Sequence, residues 1–381
     1  MTAINLFPAI LIAGPPHAGK SVLAYHFSIH LKKTKTPFIL LRTTPDGEGD
    51  WFLEAERGVG VTLRQKGPFT PELVDRAERA IRHRQLPMLV DVGDKPQGEQ
   101  FRILHACTHV ILLYRTQTER QQWQAWLEKT SLIPIARLQS NLHGQDAIWT
   151  QEGVIEGVIS GLDRRQPQLG KTFHLVAERL AGIFDYPPED ILARHLSAAP
   201  PDAEPVIIDS LARSIGVTQD HRGFWWHPQQ IPQALDWLPA DGPIALYGRG
   251  PVWLYAAIAA AVLPRAFHLF DARHFGWMQP PPVILNASCE RPNLVFQTEE
   301  TEAGLRLYIR ARARFLTPEP IPLPPLPSTS TLILDGKGPN WLYAALARAL
   351  APRYEQLRVY DPRTKQPVLI HGPGLTGAGA L

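Results

Sequence analysis

Gly-Arg-Gly-Pro-Val-Trp-Leu-Tyr-Ala-Ala runs from Gly248 to Ala257, and Gly-Lys-Gly-Pro-Asn-Trp-Leu-Tyr-Ala-Ala from Gly336 to Ala345. Residues 247–264 laid on 335–352 are identical at eleven of eighteen positions. Each copy follows an apolar run, Pro243–Leu246 or Thr331–Leu334, that reads as a buried strand. Each opens an Ala/Leu-rich stretch that reads as a helix, with the proline in its first turn, where a missing N–H costs nothing. A second apolar run follows and ends in Phe270-Asp271-Ala272-Arg273 or in Tyr360-Asp361-Pro362-Arg363. The sequence therefore predicts an internal duplication of strand, glycine turn, helix, strand and Asp-x-Arg.

The repeated turn has a chemical reading. A chain passing through Gly248-Arg249-Gly250 or Gly336-Lys337-Gly338 into a helix offers backbone N–H groups and one cation to an anion. It is not a dinucleotide fingerprint, because the third glycine is missing and a proline intervenes. Asp271 with Arg273, and Asp361 with Arg363, supply a carboxylate for a metal or a proton and a guanidinium for phosphate. The plainer alternative pairs each aspartate with the arginine two residues on, which fixes a turn. Between the copies, Asn293–Thr298 and Leu305–Leu316 read as two strands. The second alternates, with Arg306, Arg310, Arg312 and Arg314 on one side: a phosphate-binding ladder or the solvated charges of an edge strand.

Near the N-terminus, Ala9-Ile-Leu-Ile-Ala precedes Gly14-Pro-Pro-His-Ala-Gly19-Lys20-Ser21, a complete Gly-x-x-x-x-Gly-Lys-Ser phosphate loop. Gly14 and Gly19 let backbone N–H groups close on phosphates, Lys20 reaches the β/γ-phosphates and Ser21 offers its hydroxyl to Mg²⁺. Further strands at Pro37–Arg42, Leu86–Asp91 and His109–Arg115 alternate with helical segments, as a doubly wound α/β domain requires. Asp91 ends one of them, where a carboxylate organises Mg²⁺; Asp94 competes, and a helix cap is the alternative. Asp46, Glu48 and Asp50 sit on a glycine-rich loop at a strand's carboxyl end, the place where this fold class binds ligands. Placement there resembles a kinase more than a mechanical ATPase, and makes Asp46 a candidate base and Arg120, with Arg115, a candidate phosphate lid. A solvated acidic loop and a surface helix are the alternative. From about 120 to 200 the sequence reads mostly helical, with Trp123 and Trp126 as core.

Length and composition bound these readings. The 381 residues suggest two or three domains. The 44% apolar content and formal charge of +3 fit a globular chain and give no case for duplex DNA binding. Cys107 and Cys289 form neither a disulfide framework nor a zinc pattern. No apolar run reaches the roughly 20 residues of a membrane span, and the apolar start lacks the basic region of a signal peptide. A cytoplasmic location is expected. Proline is frequent, at 37 residues, and its clusters punctuate the chain; Ala198–Pro205 marks the best boundary. The expected domains are 1–200 for the phosphate-loop unit, 201–290 for a degenerate first copy and 291–381 for the second.

Gly-Arg-Gly-Pro-x-Trp-Leu with Tyr360-Asp361-Pro362-Arg363 resembles the CRISPR-associated ring nucleases of type III systems, the Csx-three group. The second copy matches over about 80 residues and the first, with Phe270-Asp271-Ala272-Arg273, over about 60. The resemblance implies two tandem small α/β domains of the oligoadenylate-sensing type. It also implies cleavage of cyclic tetra-adenylate, Mn²⁺ as a metal held at Asp361, association through dimers, and fusion to a phosphate-loop domain as a known arrangement. It further implies a histidine late in the helix, about nine residues before the aspartate; those places hold Val262 and Pro352, with His268, His274 and His371 nearby. Three functions follow. One is a nuclease that linearises cyclic oligoadenylate, with an ATP- and Mg²⁺-dependent partner domain that phosphorylates the linear product. Another is a sensor that binds the ring without cutting it and switches the phosphate-loop ATPase or kinase on or off. The last is a nucleotide or polynucleotide kinase with a structural duplicated half.

Overall fold

The computed structural model describes residues 6–42, 60–64, 71–92, 98–150, 152–163, 165, 167–221, 223–274, 276–289, 291–312 and 316–375. Asp46, Glu48, Asp50, Asp94 and Arg314 lie outside the described residues. The protein is mixed α/β, and the chain divides into two compact units, Met1–His195 and Leu196–Leu381. No helix among the described residues is long and apolar enough to cross a membrane.

The first unit runs β1 (Ala9–Ala13), α1 (Lys20–Lys33), β2 (Phe38–Arg42), β3 (Gly60–Arg64), α2 (Pro71–Arg82), β4 (Met88–Asp91), α3 (Phe101–Ala106), β5 (His109–Tyr114), α4 (Gln117–Leu127), β6 (Ile133–Asn141), β7 (Ala147–Thr150), β8 (Ile155–Ser160) and α5 (Lys171–Ile183), and α6 (Pro188–Ser197) follows. One sheet orders the strands β3-β2-β4-β1-β5-β6-β8-β7. All neighbours are parallel except β7 and β8. Strands β1, β2 and β4 are buried along their whole length, which is why they read as unbroken apolar runs.

The expectation of a mostly helical stretch from 120 to 200 is corrected. Helices α4, α5 and α6 are present, but β6, β7 and β8 intervene. β8 buries Ile155, Gly157 and Ile159 and leaves the residues between them half-buried, a two-residue period that no helix produces. Trp123 is buried in the core as expected, while Trp126 is half-buried against it.

The second unit runs β9 (Glu204–Ile207), α7 (Ile208–Ser214), β10 (Gln219–Asp220), β11 (Gly223–Phe224), α8 (Ile231–Asp236), β12 (Ile244–Tyr247), α9 (Val252–Ala261), β13 (Phe267–Asp271), β14 (Gly276–Met278), β15 (Val283–Ile284), β16 (Leu294–Thr301), β17 (Gly304–Ala311), β18 (Ile321–Pro322), β19 (Thr331–Lys337), α10 (Asn340–Leu350), β20 (Gln356–Asp361) and β21 (Gln366–His371). Two sheets repeat one design. In the first, β9, β12 and β13 are parallel and β14 closes antiparallel. In the second, β17, β19 and β20 are parallel, β21 closes antiparallel and β16 is added outside β17. The arginine-bearing strand β17 is therefore interior, not an edge, and Arg306 pairs with Asp335 at 3.0 Å.

The two copies do not close separate cores. One hydrophobic cluster joins Val206, Leu246 and Trp253 to Leu307, Trp341 and Val359. Helix α9 packs on α10 and on strands β20 and β21 of the other copy. Every residue from Trp253 to Ala260 is buried, as expected of a helix apolar on all sides. The prolines stand one place earlier than predicted, as the N-caps Pro251 and Pro339.

The repeated turns are locked identically. The Tyr255 hydroxyl donates to the Gly248 carbonyl and the Tyr343 hydroxyl to the Gly336 carbonyl, each at 2.7 Å. Gly336 has φ +133°, and a Cβ there would overlap the Ile309 carbonyl. Gly336→Ala should therefore lower stability by roughly 2–3 kcal/mol, read from the urea-unfolding midpoint. Gly242→Ala is the control, because Gly242 has φ +77° with open space at the Cβ position. Its cost should stay near about 1 kcal/mol.

Candidate functional site

In the second unit the Asp-x-Arg motifs fold back on themselves. Asp271 Oδ1 accepts from the Arg273 backbone N–H at 3.0 Å and from Nε at 2.8 Å, and Oδ2 accepts from Nη2 at 2.6 Å. His274 Nδ1 lies 3.2 Å from the same Oδ2, and its Nε2 meets the Leu316 carbonyl at 2.9 Å. Asp361 is more buried. Its Oδ1 accepts from Arg363 N–H at 2.9 Å and Nε at 3.4 Å, and its Oδ2 from Arg363 Nη2 at 3.2 Å. The fourth donor comes from the other copy: Trp253 Nε1 reaches Asp361 Oδ2 at 3.2 Å. The expectation that Asp361 holds a metal thus meets a carboxylate already committed to four donors. Among the described residues no group of three or more His, Cys, Asp or Glu is placed to hold a metal ion. The plainer alternative for these motifs, an aspartate that fixes its own arginine, describes both.

Arg363 is fixed but still faces outward. Its Nη2 also donates to the Trp226 carbonyl at 3.3 Å, and its guanidinium lies 5.3 Å from the centre of the exposed Trp225 ring. It borders a cavity of about 550 Å³ together with Asp209, Gln219, Trp226, Arg249 and Gly250. The glycine turn of the first copy and the arginine of the second thus line one space. Asp209 stands beside the turn; a Cβ on Gly248 would lie 3.9 Å from its Oδ1. Asp209, Gln219 and Trp226 escaped the sequence reading because 204–230 carries no repeat and no motif. The pairing of β9 with β12 brings Asp209 to the glycine turn, and the Trp226 carbonyl accepts from Arg363.

A second cavity, of about 540 Å³, lies at the other turn and is lined by Gly336, Lys337, Arg310, Arg312, Tyr308 and Gln297 among others. Arg310 and Lys337 are register partners on adjacent strands. Like charges directly opposite destabilise a sheet unless an anion compensates them. No carboxylate lines this cavity among the described residues. Gly338 sits against Leu342 and Tyr343.

In the first unit Gly14 follows β1, and Gly19 with Lys20 and Ser21 opens α1. Lys20 is buried and its Nζ donates to the Pro15 carbonyl at 2.7 Å. Asp91 ends β4 beside β1 and β2, in register with Ile12 and Arg42. Burial pushes the Asp91 carboxyl up, opposed by the Arg42 guanidinium, a hydrogen bond from Ser21 and the Lys20 ammonium. Ser21 and Asp91 are the residues here that could hold a hard cation such as Mg²⁺, which takes oxygen ligands. Arg120 is held by both oxygens of Glu156 at 3.1 Å and lies over Tyr114. Arg115 pairs with Glu119 at 2.6 Å. Arg120 of α4 is thus paired across to β8, and Arg115, just after β5, to the first turn of α4.

Two contrasts generate predictions. Trp253 and Trp341 fill equivalent places, but the Trp341 indole N–H has no hydrogen-bond partner among the described residues. Trp253→Phe should cost about 1.5–3 kcal/mol more than Trp341→Phe in urea unfolding, because it strips a donor from a buried carboxylate. At Asp271, burial would raise the carboxyl, but hydrogen bonds from His274 and Arg273 and their charges hold it well below the usual range. A depressed folded value stabilises above the unfolded carboxyl pKa of about 3.9 and is lost below it. Stability should therefore fall between about pH 5 and pH 2, and Asp271→Asn should flatten that slope.

Residues 314–373 match the family described as CRISPR-associated protein (Cas_csx3). The matched stretch contains the Gly336–Gly338 turn, α10, Asp361 and Arg363. This part of the chain is therefore similar to a CRISPR-associated domain of that type. No curated protein matches the chain.

Proposed function

We propose that the second unit binds a cyclic oligoadenylate and linearises it, with the scissile phosphate in the cavity shared by Arg249 and Arg363. The observation that carries this is the meeting of one copy's glycine turn with the other copy's Asp-x-Arg around a single space. Two guanidiniums from different copies suit a phosphate whose charge grows in the transition state. Asp361 acts as the positioning residue for Arg363, and Trp253 positions Asp361. No step is routed through a metal at Asp361, because its oxygens are taken.

Asp209 is the carboxylate that can move a proton. A ribose 2′-hydroxyl attacks the neighbouring phosphorus; the O2′–P bond forms and the P–O5′ bond breaks. The hydroxyl proton goes to Asp209 and then to the departing 5′-oxygen, directly or through solvent. The products are 2′,3′-cyclic phosphate and 5′-hydroxyl ends, and no co-reactant is consumed. With phosphate on both guanidiniums, Asp209 is the basic group left in the cavity among the described residues. The Lys337 cavity, which offers Arg310 and Arg312 without a carboxylate, suits binding rather than cutting. The first unit is read as an ATP site built from Gly14, Gly19, Lys20, Ser21 and Asp91. Mg²⁺ there would neutralise phosphate charge, and phosphorylation of the liberated 5′-hydroxyl is the coupling this reading suggests.

The sensor reading keeps one specific support: Val262 and Pro352 occupy the places of the implied histidine. Incubation of purified protein with cyclic tetra-adenylate, with and without ATP and Mn²⁺, separates the two when products are resolved by chromatography. Linear products without ATP are expected, and Asp209→Asn should slow their formation by about 10²–10⁴-fold while binding persists. Intact messenger that changes ATP turnover would replace this proposal with the sensor.

A further inference from the structure

In the first unit a cavity of about 230 Å³ lies against the outward face of α1, immediately beside Ser21. On the helix it is lined by Val22, Tyr25, His26 and Ile29, and on the other side by Asp163 and Pro167 of the segment after β8, with the exposed Arg165 alongside. We infer that this cavity holds the nucleoside of a nucleoside triphosphate whose phosphates lie on the Gly14–Ser21 loop. The inference rests on the reading of that loop as a phosphate site and adds which part of the ligand is recognised, and by what.

The cavity is built rather than incidental. Gly19 has φ +87°, and a Cβ there would stand 2.9 Å from Leu162 Cδ1, so the segment after β8 is seated directly on the loop's second glycine. That segment closes on itself: Gln168 N–H donates to the Gly161 carbonyl at 3.0 Å and Asp163 N–H to the same carbonyl at 2.8 Å. The cavity wall is thereby tied to the loop, and Ser21 borders both the Asp91 carboxylate and the cavity. A ligand anchored by its phosphates at Ser21 has its next group directed here.

The lining suits a flat heterocycle on a sugar. Val22, Ile29 and the Tyr25 and His26 rings give apolar and aromatic surface, and Asp163 gives one placed polar group, the usual composition of a small-molecule pocket. Burial pushes the His26 imidazole below its ordinary value, so its ring is a neutral surface near pH 7. The helix residues 22, 25, 26 and 29 share one face at helical spacing, so the wall is a continuous strip rather than scattered side chains.

The test compares two ligands that differ only in the nucleoside. Isothermal titration of the full chain with Mg²⁺–ATP and with Mg²⁺–tripolyphosphate should show ATP binding at least tenfold tighter. Ile29→Trp, which fills the cavity, should reduce the two affinities to the same value while tripolyphosphate binding stays as in the wild type, which also shows that the variant is folded. Equal affinity for the two ligands in the wild type, or an ATP preference untouched by Ile29→Trp and by Tyr25→Ala, would overturn the inference while leaving the phosphate site intact. Binding of neither ligand would remove the phosphate-site reading itself and the inference with it.

Discussion

The Trp253 indole N–H donated to the buried Asp361 carboxylate is the contact on which the second unit depends. An isolated buried carboxylate is expensive, and one bonded only to its own turn would still be short of donors. The indole reaches it because α9 of the first copy packs on β20 and β21 of the second. The carboxylate then fixes Arg363, which lines the shared cavity. Core packing, motif geometry and the candidate site are therefore one chain of causes. Arg348 of α10 ties the copies in the opposite sense, donating to the Ala259 and Arg265 carbonyls at the end of α9 at 3.0 and 2.7 Å.

The two repeats are not equivalent. At Asp271 a histidine stands where Asp361 has an indole: His274 bonds the aspartate and lies edge-on to the Trp341 ring. That histidine, read in sequence only as a neighbour of the motif, is a buried structural group with both ring nitrogens near polar partners. The turns differ too. Arg249 faces a carboxylate, Asp209, whereas Lys337 faces two more cations. Binding and bond-breaking are divided between the turns on this account.

Much of this was legible in the residues. The Gly-x-Gly-Pro-x-Trp-Leu-Tyr repeat, its strands and its helices stand where local pattern puts them, because buried parallel strands and an all-apolar helix write themselves as unbroken runs. The strands between Ile133 and Ser160 are not legible in the sequence because Glu156, Gly157 and Arg137 interrupt the apolar residues, and a two-residue period over six positions is easily lost among helices. Asp209 was invisible for another reason: a lone aspartate after an unmotivated strand acquires meaning only when β9 lies beside β12. The indole donor to Asp361 is not legible either, because it comes from 108 residues away. No local rule assigns that partner.

The most direct test of the shared cavity is a double-mutant cycle of Arg249→Ala and Arg363→Ala, measured as cyclic tetra-adenylate affinity by titration calorimetry. Two arginines on one phosphate should couple, with the double variant departing from the sum of the single losses by about 1 kcal/mol or more. Additive losses within roughly 0.3–0.5 kcal/mol would mean that the two copies act on separate ligands, or on none, and would contradict the account.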